Sequence, residues 1–137
     1  TRFIMSLEEA VELVLFAFNK GKNGEIFVQN SPSAKIKTIS EVIKEIFNYT
    51  KKDKIIGVRH SEKMCETLIS SEEMNRCIKI KNFFNIKPDT RDLNYDQFFT
   101  KGKSKIFNDF NSDTTKLLSN KNLKSLLMKS IQFKDLL

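Results

Sequence analysis

Ser6-Leu7-Glu8-Glu9-Ala10-Val11-Glu12-Leu13-Val14-Leu15-Phe16-Ala17-Phe18, then Gly21 and Gly24, then Glu25-Ile26-Phe27-Val28-Gln29, is the stretch on which the fold turns. Ser6 and Glu9 form an S-x-x-E capping pattern. Behind it Ala10, Val11, Val14, Leu15 and Phe18 recur at helical spacing, which predicts a helix over 7–19. The two glycines bracket a turn, residues 25–29 are β-prone, and Asn30-Ser31-Pro32-Ser33 signals a loop. The order is helix, turn, strand, loop.

Working outward, Thr38 and Glu41 repeat the capping pattern ahead of Ile39, Val42, Ile43, Ile46 and Phe47, predicting a second helix that ends near residues 48–52. Lys54-Ile55-Ile56-Gly57-Val58 reads as a second strand. Ser61–Leu68 and Ser71–Cys77 read as short helices with a serine able to cap each start, and Ile78–Ile86 as an extended segment. Lys87-Pro88-Asp89-Thr90 interrupts the pattern, because proline lacks an amide donor and biases its predecessor away from helix. Residues 91–110 read as irregular, residues 120–129 return to helical spacing through Leu123, Leu126 and Leu127, and Leu136-Leu137 closes the chain. The fold class is α/β with few short strands and helices. Two strands make a marginal sheet in water, so their edges are expected to be completed by residues outside the chain or by a partner.

Composition narrows the class. With 137 residues, 39 % hydrophobic and 30 % charged, the chain suits one modest globular core rather than disorder. The apolar run Val14–Phe18 falls far short of the roughly 20 residues of a membrane span, and no leader-like segment opens the chain; a cytoplasmic protein without membrane contact is expected. Cys65 and Cys77, with His60 the lone histidine, assemble no local zinc cluster, so no metal is expected and the thiols read as reduced. The net charge of +7 is uneven: residues 1–99 carry +2 and residues 100–137 carry +5. That division marks 100–137 as a basic, mainly helical tail. A nucleic-acid-binding module driven by this tail is the weaker alternative, and a solvated lysine face the favoured account.

Catalytic signatures are missing. None of the four glycines falls in G-x-G-x-x-G, the spacing that lets backbone amides approach a pyrophosphate at a helix N-terminus. There is no G-x-S-x-G, H-E-x-x-H or Walker loop. The Y-x-x-x-K proton-transfer pair is absent too, since Tyr49 is followed at that offset by Asp53 and Tyr95 by Phe99.

Four blocks remain: Thr1-Arg2-Phe3-Ile4-Met5-Ser6-Leu7-Glu8-Glu9-Ala10, Gly24-Glu25-Ile26-Phe27-Val28, Ile56-Gly57-Val58-Arg59-His60-Ser61-Glu62-Lys63-Met64-Cys65-Glu66, and Arg91-Asp92-Leu93-Asn94-Tyr95. In this order they resemble the C-terminal portion of UDP-N-acetylglucosamine 4,6-dehydratase/5-epimerases of capsular polysaccharide biosynthesis, extended short-chain dehydrogenase/reductases. The likeness covers residues 1–99 and continues thinly at Asn111-Ser112-Asp113-Thr114-Thr115. It implies the substrate-binding segment of such an enzyme with the Rossmann half absent. It also implies NADP or NAD in the complete enzyme, none bound by this chain alone, and no catalytic residue in this segment.

The family chemistry so implied is oxidation at sugar C4, loss of water across C5 and C6, hydride return and, in some members, inversion at C5. The resemblance assigns Arg2 and Arg59 to the diphosphate of a UDP-sugar and Glu62 to the ribose hydroxyls. A guanidinium offers a planar fork of donors to paired phosphate oxygens, and a carboxylate accepts from a diol. Structural alternatives stand beside these roles: Arg2 exposed at a helix entry, Arg59 paired with Glu62 or Glu66, Glu62 favouring a helix start. His60 reads as a loop residue, and Met64 and Cys65 as core-facing. Ser61 stands where the family usually has glycine, and Asp113 where it usually has histidine. The implied partners are a UDP-sugar and either further copies of the chain or a cofactor-binding half, with no nucleic acid. A truncated, non-catalytic homologue that binds a nucleotide-sugar or joins a full enzyme is the second reading.

Overall fold

The structure, a computed structural model, describes residues 1–89 and 107–130. Its first regular segments are β1 (Arg2–Phe3) and α1 (Leu7–Lys20). Ser6 caps α1 as the spacing predicts: its side chain accepts from the Glu9 amide while the Glu9 carboxylate accepts from the Ser6 amide. Then follow β2 (Ile26–Gln29), β3 (Ser33–Ala34) and α2 (Ile36–Ile46). The second helix starts three residues earlier than the Thr38 pattern suggests, at an N-cap, Lys35, that makes no side-chain capping bond. Immediate entry from β3 fixes its start instead. It ends at Ile46 with Phe47 as its C-cap, and Asn48 just beyond, a residue tolerant of the left-handed region, sits at φ 52.

Three expectations between residues 54 and 77 are corrected. Residues 54–58 form no strand; Ile55 is 92 % exposed, and β-prone residues without a neighbouring edge have no ladder to join. Residues 61–68 form no helix, since Ser61 sits at φ 67 and the Lys63 and Met64 carbonyls accept bonds from Arg2 rather than from amides one turn on. The segment ends instead in β4 (Thr67–Ile69). Third, the helix expected over 71–77 is a single turn, α3 (Ser71–Met74), capped by Ser70 through a capping box with Glu73. Cys77 already belongs to β5 (Cys77–Ile80), which turns back through Lys81 at φ 53 into β6 (Phe83–Ile86). Described residues near the C-terminus add β7 (Phe110–Asn111) and α4 (Asn120–Lys129). The Arg91–Tyr95 block, the rest of 90–106, and Leu136-Leu137 lie outside the described residues.

β6 is the centre of a three-stranded antiparallel sheet in the order β2, β6, β5, with Gln29 opposite Phe83 and Ile80 opposite Phe83 on the other side. All four β6 residues are buried, as a strand flanked on both edges requires. Phe16 of α1 covers the sheet, its ring centroid 4.7 Å from Phe83 and 5.6 Å from Phe27. Two further pairs, β1 with β3 and β4 with β7, are antiparallel and short.

Two apolar clusters hold these layers. Ala34, Val42, Ile46 and Leu123 join β3, α2 and α4; Ile69, Phe84 and Ile86 join β4 to the sheet. Phe110 bridges β1 and β6, its ring 5.2 Å from Phe3 and 5.0 Å from Phe84. β7 and α4 are therefore built into the same core as the first 89 residues.

Candidate functional site

The loop between α2 and β4 is strongly exposed from residue 51 to 64, yet its second half is tied to the body by β1. Arg2 does the tying. Its NH1 group donates to the Thr1 carbonyl at 2.7 Å and the Met64 carbonyl at 3.3 Å, and NH2 donates to the Lys63 carbonyl at 3.0 Å. On the same fork NH2 lies 3.6 Å from Glu62 Oε1 and Nε 3.5 Å from Glu66 Oε1. Each guanidinium nitrogen thus has a partner, and the planar fork spans two carboxylates and three carbonyls in a way a lysine ammonium does not.

Glu62 also closes its own turn. The Arg59 amide donates to Glu62 Oε2 at 3.0 Å, and the Glu62 amide returns a bond to the Arg59 carbonyl at 3.0 Å. The contact between Arg59 and Glu62 is made by the Arg59 backbone and is not the side-chain pair of the sequence alternative. Its guanidinium is exposed and makes no hydrogen bond or ion pair among the described residues. Arg2 and Glu62 are therefore brought together, with Arg59 carried outward on the loop they hold. Ser61 takes φ 67 at the tip, a left-handed conformation that glycine adopts without the Cβ penalty.

Glu66, which the sequence offers only as an alternative partner of Arg59, and Ser112, for which it offers no role, complete the arrangement. Glu66 Oε2 accepts from the Phe3 amide at 3.0 Å, fixing loop and β1 together. The Ser112 hydroxyl, in a fully buried residue, accepts from the Glu66 amide at 2.9 Å and lies 2.8 Å from the Thr1 hydroxyl. The Thr1 hydroxyl in turn donates to Asp113 Oδ1 at 2.7 Å. Glu66 lies four residues beyond Glu62 within a quoted block, a usable signal; Ser112 gives none, because its role depends on a contact 46 residues away. Met64 is corrected from the core-facing expectation: its carbonyl turns inward to Arg2 and the residue is 69 % exposed. Cys65 is half-buried, both cysteines are free, and burial pushes the Cys77 thiol up from its ordinary pKa. His60 is an exposed turn residue.

Among the described residues, no three His, Cys, Asp or Glu side chains are grouped to hold a metal ion, and no helix is long and apolar enough to cross a membrane. Gly21 caps the C-terminal end of α1, where carbonyls rather than amides point outward, and Gly57 stands in an open loop with nothing within 4 Å of a Cβ built on it.

Comparison with known proteins gives the family. Residues 1–88 match the family model described as polysaccharide biosynthesis protein, and residues 89–132 the one described as polysaccharide biosynthesis protein C-terminal. Relatives named UDP-glucose 4-epimerase from Rickettsia rickettsii (strain Sheila Smith) and Rickettsia bellii (strain OSU 85-389) are 42% and 45% identical over 130 residues, which is 93% of this chain. The match spans 38% of the length of each. The X-ray structure of Pen from Bacillus thuringiensis superposes with a TM-score of 0.74 at 25% identity, over 92% of this chain and 36% of that one. The short strands and helices described above are consistent with the C-terminal portion of a protein like the short-chain dehydrogenase/reductases, and the chain belongs to the polysaccharide biosynthesis protein family.

Proposed function

We propose that this chain is the substrate-side segment of a UDP-sugar-modifying enzyme, and that Arg59 takes the diphosphate. The observation that carries the reading is the contrast between two arginines: Arg2 is fully engaged within the protein, whereas Arg59 projects a fork that is unpaired among the described residues from a loop that Arg2, Glu62 and Glu66 hold in place. A guanidinium kept free on a fixed loop suits paired phosphate oxygens. Arg2 reaches a diphosphate only by giving up the Lys63 and Met64 carbonyls, so its role in this account is to position the loop. In this reading Glu62 Oε1, which faces Arg2 at 3.6 Å while Oε2 holds the Arg59 amide, accepts from a ribose diol.

The resemblance of the four sequence blocks favours 4,6-dehydration of UDP-N-acetylglucosamine, with C5 inversion in some members. The names of the Rickettsia relatives favour a second reading, inversion at C4 of UDP-glucose without loss of water. Both begin with oxidation at C4, which NADP or NAD supplies when bound, and both place that cofactor on residues outside this chain. What the residues here contribute is a hold on the nucleotide.

A chimera separates the two reactions. This chain replaces the matching portion of the Rickettsia rickettsii relative, and products from each UDP-sugar are weighed. A product lighter by one water supports dehydration; an isomer of unchanged mass supports epimerisation. Turnover unaffected by Arg59→Ala in a working chimera would refute the site.

A further inference from the structure

Helix α1 is apolar on two separate sides. Ala10, Leu13, Phe16 and Ala17 are partly buried, with Phe16 packed on the sheet, while Leu7, Val11, Val14, Leu15 and Phe18 form a second stripe facing out. At 100° per residue those five fall within about 100° of arc. They are exposed by 64 %, 51 %, 55 %, 56 % and 86 % respectively. A helix apolar on both sides belongs between two layers, and only one layer is present among the described residues.

We propose that this outward stripe is a docking surface for the polypeptide that precedes the matched portion in the longer relatives. The proposal rests on the reading of this chain as one side of a larger enzyme. Two findings select that occupant. The match spans 38% of the Rickettsia relatives, and residues 89–132 fit the model for the family's C-terminal part, so the unmatched length lies mainly ahead of residue 1. In addition, Glu8 and Glu12 lie beside the stripe, carboxylates that an anionic lipid surface repels, which leaves an apolar protein surface.

Cysteine accessibility tests this. Phe18→Cys and Val11→Cys, both at exposed positions, react readily with a thiol reagent in the chain alone, read site by site by mass spectrometry. Adding the separately produced preceding portion of the Rickettsia rickettsii relative slows both at least tenfold. Arg59→Ala leaves that protection intact, so failure of the nucleotide site and failure of the docking surface are told apart. Cysteines at the matching positions of the intact relative, a protein already folded, are also protected. Ready labelling in the intact relative overturns the proposal. So does slow, concentration-dependent labelling of this chain by itself, which assigns the stripe to a second copy.

Discussion

Ser112 and Glu66 grip each other twice: the Ser112 amide donates to the Glu66 carbonyl at 2.8 Å, and the Glu66 amide donates to the Ser112 hydroxyl at 2.9 Å. Residue 112 falls in the part of the chain matched by the C-terminal family model, and Glu66 ends the loop that carries Arg59. The two matched regions thus meet at the base of the candidate site.

Ser112→Ala removes the acceptor of the partly buried Glu66 amide and a neighbour of the Thr1 hydroxyl. Its expected cost is about 1–3 kcal/mol, read from the denaturant midpoint, together with weaker UDP binding. A stability loss that leaves UDP affinity untouched contradicts the link between this contact and the loop.

Arg2→Ala is expected to lower stability by about 1–2 kcal/mol, since it strips two loop carbonyls of their donor and leaves Glu62 and Glu66 side by side. Arg2→Lys restores one charge but not the fork, so hydrogen exchange of residues 62–66 remains faster than in the native chain. Native-like exchange in Arg2→Lys would show that charge alone suffices.

Ser61→Gly relieves a side chain at φ 67 and is expected to raise stability by up to about 1 kcal/mol, because the left-handed penalty slightly exceeds the entropy glycine adds to the unfolded chain. Thermal unfolding reads it. A fall in the midpoint indicates a Ser61 interaction beyond the backbone conformation.

Glu25 carries the clearest pH dependence. Hydrogen bonds from Lys87 first and Asn85 next hold its carboxyl at about 2, below the ordinary 4.5. A folded pKa below the unfolded one adds stability that is complete above about 4.5 and is lost as pH falls toward 2. The midpoint should drop across that window in the native chain and less steeply in Glu25→Gln; identical profiles assign the acid loss to other carboxylates.

Local rules read α1, β2 and α4 well, because caps and apolar spacing lie within a few residues of one another. They failed where a distant partner decides. Residues 54–58 have strand composition and no edge to pair with, and residues 61–68 have helix composition and carbonyls that Arg2, some sixty residues earlier, takes instead. The same reason limited the site. Arg2, Arg59 and Glu62 stood in recognisable blocks, whereas the exposure of Arg59 against the engagement of Arg2 is a property of the folded loop, and Ser112 enters only through tertiary contact.

The most direct test is calorimetric titration of the chain with UDP, alongside Arg59→Ala and with NADP as the comparison ligand. The account predicts that UDP binds, that the substitution weakens it about tenfold or more while thermal stability is unchanged, and that NADP gives no heat. UDP affinity equal in the two proteins, or no UDP binding by the native chain, contradicts it.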